Sequence, residues 1–102
     1  MSVQSVIRSY QKNDAASATP LKLLVMVYDR AILGCQQKNV EMTWKAIKVL
    51  IDNLNMDVQP LAGKLLAIYE YCNELIRIGE FDSAYKILKE LRDTWASVSN
   101  KA

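Results

Sequence analysis

The chain has 102 residues, 51% hydrophobic and 24% charged, with 13 Lys+Arg against 11 Asp+Glu, three Gly, two Pro, two Cys and no His. That length allows one domain with one core, and the apolar fraction excludes a disordered chain of low hydrophobicity. The missing His removes imidazole bases, His-paired nucleophiles and His-based metal sites. With so few Gly and neither the dinucleotide nor the Walker pattern, no catalytic, cofactor or metal residue is assigned and no enzyme is expected. Positive and negative residues are interleaved, so no basic stripe advertises nucleic acid.

Residues 1–18 mix polar and isolated apolar residues without the continuous apolar segment of a secretory signal. The longest apolar run, Leu23 to Tyr28, is six residues, against about 20 needed to span a bilayer. A cytoplasmic protein without stable membrane insertion is expected. Cys35 and Cys72 stand alone in helical patterns and read as buried thiols in a reducing compartment.

In chain order, the spacing predicts an all-α protein: an N-terminal arm over residues 1–18, then a bundle over 19–102. Within the arm, Val3, Val6, Ile7 and Tyr10 recur at helical spacing, and Gln11 to Ala18 reads as a polar linker. An isolated helix of about ten residues is marginal in water, so the arm is expected to gain stability only by docking. It reads either as a further packing element or as a detachable lid, with Ile7 and Tyr10 as the lid contacts.

The first long helix is predicted to start at Thr19-Pro20, a hydroxyl cap followed by proline at the first helical position. Leu21, Leu24, Tyr28, Ala31 and Cys35 share one face, and Lys38-Asn39 reads as the stop. The second helix is predicted to pack through Val40, Trp44, Ile47, Ile51 and Leu54 and to end near Asn53-Leu54-Asn55. Asp57 is the predicted cap of the third, with Pro60 in its first turn and Leu61, Leu65, Ile68, Cys72, Leu75 and Gly79 as its stripe. Asp82 is the predicted cap of the fourth, which carries Ala84, Leu88, Leu91, Trp95 and Val98. Short connections between amphipathic helices imply an antiparallel up-down-up-down four-helix bundle.

Some apolar residues exceed what one stripe per helix explains. Met42, Val49 and Met56 are spaced by seven and point away from the predicted stripe of the second helix. On the third, Tyr71 and Ile78 lie to one side of the stripe while Leu66 and Tyr69 widen the other flank. The first helix is apolar nearly all round from Leu23 to Tyr28, which makes it either the most central helix or the wall of a groove. Off-core Met and aromatic residues suit a surface that accepts an amphipathic helix, and a broad core is the alternative. On this reading Ile7, Tyr10, Met42, Val49, Met56, Leu66, Tyr69, Tyr71 and Ile78 are the candidate partner-binding residues.

Tyr10-Gln11-Lys12-Asn13, followed by Thr19-Pro20 and by Met26-Val27-Tyr28-Asp29-Arg30-Ala31-Ile32, resembles the opening of the FliS family of flagellin export chaperones. Leu54-Asn55-Met56-Asp57, Tyr69-Glu70-Tyr71 and Leu91-Arg92-Asp93-Thr94-Trp95 are similar to further family blocks in the same order. Arg30 stands where that pattern has Gly, and Asp57-Val58-Gln59-Pro60 replaces a Lys-Gly-Gly-Glu turn. The chain is also about seven residues short between Ile32 and Leu54 and about one turn short between Leu75 and Leu91. In an antiparallel bundle both deficits fall at one end, so the resemblance implies a bundle trimmed there.

The resemblance further implies a chaperone that binds the disordered C-terminal segment of flagellin, prevents premature polymerisation, and presents the client to the export gate of the flagellar type III apparatus. It implies that Pro20, Tyr28, Asp29, Leu91, Arg92 and Trp95 mainly build the bundle, with Asp29 and Arg92 either paired across helices or facing solvent. Alternatives are a co-chaperone or regulator with another flagellar partner, or a generic helical interaction module. Gly79-Glu80-Phe81-Asp82-Ser83-Ala84 resembles a tetratricopeptide turn, but no second copy occurs about 34 residues upstream. Glu70 and Glu74, four apart, read as a solvated face.

Overall fold

Apolar residues at three- and four-residue intervals become four helices, α1 (Pro20–Gln36), α2 (Val40–Asp52), α3 (Leu61–Arg77) and α4 (Phe81–Lys101). The computed structural model describes the backbone of residues 20–101 and the side chains of residues 21–98. The arm with Ile7 and Tyr10, and the cap expected at Thr19, lie outside the described residues. No strand occurs among the described residues. α1 packs against α2 and α4, and α3 closes the ring by packing against the same two. The chain is therefore an all-α four-helix bundle.

Residues 37–39 join α1 to α2, and residues 78–80 join α3 to α4. Both connections are built alike. The Asn39 N–H donates to the Gly34 carbonyl at 2.8 Å and the Lys38 N–H to Cys35 at 3.1 Å; the Glu80 N–H donates to Leu75 at 2.8 Å and the Gly79 N–H to Ile76 at 3.1 Å. This paired return onto the last turn satisfies carbonyls that the helix end leaves open, and it requires a left-handed residue just past the helix. Gly79 takes that conformation at φ 83°, whereas Lys38 takes it at φ 54° despite its side chain. Asn39 then caps α2, its Oδ1 accepting from the Met42 N–H at 3.0 Å. Both tight returns follow the C-terminal ends of helices, α1 and α3.

Two starts differ from expectation. α3 begins after Pro60, and Asp57 does not cap it; the Gln59 side chain does that work, accepting from the Gly63 N–H at 3.1 Å while its amide donates to the Met56 carbonyl at 2.9 Å. α4 begins at Phe81, so Asp82 sits inside the first turn, where its charge favours the helix dipole.

The core is formed by Leu21, Leu24, Tyr28, Ala31 and Cys35 of α1, Ala84, Leu88 and Trp95 of α4, and facing residues of α2 and α3. The α1 stripe is as expected, but α2 is rotated. Its buried residues are Thr43, Ala46, Ile47 and Leu50, while Trp44 is 41% exposed. Small residues explain the rotation. A Cβ on Gly34 would lie 2.9 Å from the Thr43 backbone nitrogen, so α1 and α2 approach almost backbone to backbone, and a Trp at that contact has no room. Val40, Ile51 and Leu54 are half-buried around it. α3 is shifted similarly: Ala62, Leu65, Tyr69, Cys72, Leu75 and Ile76 are buried, and Ile68 is half-buried.

Three of the motif blocks meet in this core. Trp95 Nε1 donates to the Tyr28 hydroxyl at 3.2 Å, and the Tyr28 and Tyr69 hydroxyls are hydrogen-bonded to each other, with ring centroids 6.3 Å apart. A buried indole or phenol needs such a partner to offset its lost hydration. Asp29, next to Tyr28 on α1, and Arg92, three residues before Trp95 on α4, pair at 2.9 Å at the surface. These residues hold α1, α3 and α4 in register.

Candidate functional site

Along the outer side of α1, Leu23, Met26, Val27 and Arg30 fall at three- and four-residue steps, and on α2 Met42, Lys45, Ala46 and Val49 do the same. The two rows face each other across a groove of about 560 Å³, completed at one end by Asn39 and Glu41. Ala46, buried on α2, is the small residue of its row, and the longer side chains on either side of it stand as walls. The site is open and predominantly apolar. Met26 is 60% exposed, and Val49 is also exposed. Unbranched Met walls adapt to the shape of an incoming helix.

The electrostatics of the groove are sparse. Lys45 is held by Glu41 at 2.9 Å, and that hydrogen bond keeps the Glu41 carboxyl below its usual range. Arg30 is exposed and has no ion pair among the described residues. Among the described residues no three His, Cys, Asp or Glu side chains converge to hold a metal ion. Both thiols are buried, and burial pushes Cys72 up to about 12. No described helix is long and apolar enough to cross a membrane.

The candidate residues separate into several places. Met42 and Val49 line the α1–α2 groove together. Tyr71 lies in a second groove of about 340 Å³ between α3 and α4, beside Ile68, Ile87 and Leu91. Met56 and Ile78 are exposed, but both fall beyond helix ends, Met56 in the α2–α3 connection and Ile78 just after α3. Helical spacing from Val49 therefore does not place Met56 on the α2 surface. Leu66 is half-buried on α3 and lines neither groove. Tyr69 is corrected outright: at 2% exposure, and hydrogen-bonded to Tyr28, it belongs to the core and cannot form a groove wall.

Sequence reasoning left Leu23 to Tyr28 as either core or groove wall, because α1 is apolar nearly all round and its periodicity did not separate the two, and it did not name Arg30 as a lining residue. It also placed Trp44 inside, whereas Trp44 borders a polar recess with Glu70, Asn73, Glu74 and Arg77. Pairing Glu74 with Arg77 at 2.6 Å leaves that recess solvated and charged at its rim.

No curated protein and no solved structure matches the chain. A family model described as flagellar protein FliS matches residues 3–102. That match takes in the aromatic core contacts of Tyr28, Tyr69 and Trp95, both tight connections and both walls of the α1–α2 groove. The chain therefore belongs to the FliS family of flagellar proteins.

Proposed function

We propose that this protein is a cytoplasmic flagellar export chaperone that binds the C-terminal segment of flagellin, blocks its premature polymerisation and presents it to the type III export gate. Family membership supports the flagellar chaperone role and speaks against an enzyme. The observation that carries the client-binding step is the open apolar groove between α1 and α2, walled by Leu23, Met26, Val27, Met42 and Val49. Its shape suits an amphipathic helix better than a compact ligand, since it is open and lined by adaptable side chains. A client segment that folds on binding must recover a few kcal/mol of ordering cost, which favours contact spread over more than one site. The α3–α4 groove with Tyr71 lies on the opposite face of the ring of helices and supplies such a second contact for a wrapping segment.

The N-terminal arm is the second occupant in this reading. Ile7 and Tyr10 cover part of the client surface when client is absent, so Ile7→Ala with Tyr10→Ala alters client affinity while the bundle stays folded. An unchanged dissociation constant removes the lid.

The direct test is binding of flagellin and of flagellin lacking its C-terminal segment, measured by calorimetry. A one-to-one complex with the intact client, abolished by the deletion, is expected. Met26→Ser with Val49→Ser removes about 2 kcal/mol of apolar contact and is expected to weaken binding roughly thirtyfold. Retained binding to the truncated client points instead to a co-chaperone or regulator with another flagellar partner.

A further inference from the structure

We infer that Arg30 makes the α1–α2 groove selective for a client helix bearing a carboxylate about one turn away from its apolar anchors. This rests on the client-binding reading above and adds to it the chemistry by which the groove chooses a segment.

Three observations converge. Arg30 continues the groove-lining row of α1, four residues beyond Met26. At 1.5 Å per residue its position lies about 6 Å along the helix axis from the apolar wall that Met26 forms with Val49. Secondly, the only other cation on the groove among the described residues is already engaged, because Glu41 holds the Lys45 ammonium at 2.9 Å. Arg30 has no ion pair among the described residues, which leaves the groove one net positive charge with its guanidinium ungripped. Thirdly, a helix laid on Met26 and Val49 covers the rim beside Arg30. Covering an unpaired guanidinium removes water from it, and only a carboxylate restores both the charge balance and a two-pronged hydrogen bond.

Charge also separates this occupant from the chain's own arm. Residues 1–19 contain Arg8 and Lys12 against a single acid, Asp14. A segment of net positive charge gains little on a positive groove, whereas an acidic client gains there and displaces it. Arg30 thus favours exchange of arm for client.

The test measures binding of the flagellin C-terminal segment to wild type, Arg30→Gln, Arg30→Glu and, as a control outside the groove, Lys48→Gln, at about 50 mM and about 1 M NaCl. At low salt, Arg30→Gln is expected to weaken binding about threefold and Arg30→Glu about tenfold, with Lys48→Gln unchanged. At high salt, where screening acts within about 3 Å, the differences shrink to less than about twofold. Replacing one client carboxylate at a time by Lys is expected to restore affinity for Arg30→Glu at a single position. Wild-type binding with no loss in Arg30→Glu at low salt, or no client position that rescues it, overturns the selectivity while leaving the groove as the client site. Absence of wild-type binding overturns the client reading itself. Circular dichroism of each variant establishes that the bundle is folded.

Discussion

Gly34→Ala tests the close approach of α1 and α2. An added Cβ would clash with Thr43 Oγ1 and lie 2.9 Å from the Thr43 nitrogen and 3.1 Å from its Cα. Rotation of the Thr43 side chain can relieve the first clash, at the cost of the 2.8 Å hydrogen bond from its hydroxyl to the Asn39 carbonyl. It cannot relieve the other two, which are backbone. The helices must then separate by a distance on the order of 1 Å, enough to forfeit a quarter to a half of the affected packing contacts. Overpacking of this kind costs about 1–3 kcal/mol, against a helix-propensity gain of about 1 kcal/mol for replacing Gly by Ala.

Because two of the three clashes are with backbone, the cost falls in the upper part of that range, about 2–3 kcal/mol, so the expected net effect of Gly34→Ala is a loss of about 1–2 kcal/mol, read as a fall in melting temperature of about 4–16 °C for a domain of this size. Gly63→Ala supplies the contrast within the same protein. There the near neighbour is the far end of the Gln59 side chain at 2.9 Å, which can swing aside. Swinging aside gives up the Gln59 cap on the Gly63 N–H, about 1 kcal/mol, which offsets the propensity gain of about 1 kcal/mol, so Gly63→Ala is expected to be near neutral. Thermal and urea unfolding followed by circular dichroism gives both values. A Gly34→Ala protein as stable as wild type, or a pair of variants that respond alike, refutes the close-approach argument.

Two further outcomes follow from local geometry. Lys38→Gly relieves a side chain from the left-handed conformation at φ 54° and is expected to raise unfolding stability by about 1 kcal/mol, measured by urea titration. Cys72 keeps its proton in the folded state up to about pH 12, because burial disfavours the thiolate. At pH 8 it is expected to resist alkylation until guanidinium unfolds the chain, as mass spectrometry of labelled peptides will report. Because the unfolded thiol ionises near its ordinary value of 9.0 while the folded one does not, this group favours unfolding as pH rises from about 9 towards 12. Cys72→Ser is expected to flatten the stability profile in that window.

Much of the fold is legible from local chemistry. Helical spacing located the four elements, Lys38-Asn39 marked the first turn, and the α1 and α4 stripes through Tyr28, Leu88 and Trp95 became core, whereas Gly79, expected in the α3 stripe, lies beyond the end of α3 in the turn. Those features depend on neighbours within one or two turns, which the sequence displays directly. The candidate groove was only partly legible. Met42 and Val49 stood off the predicted stripe, but Met26 and Arg30 were hidden in a helix that is apolar nearly all round.

Sequence by itself determined that this chain forms antiparallel amphipathic helices with surplus apolar surface, and its motif blocks identified the family. Tertiary structure decided which surplus residues are surface. Adjacent helical positions differ by about 100°, so a stripe shifted by one residue changes what is buried while its periodicity remains intact. The close approach of Gly34 to Thr43 turned α2 so that Trp44 faces out, and a hydroxyl partner on Tyr28 drew Tyr69 in. Both outcomes depend on an atom of another helix, and periodicity within one helix contains no information about it.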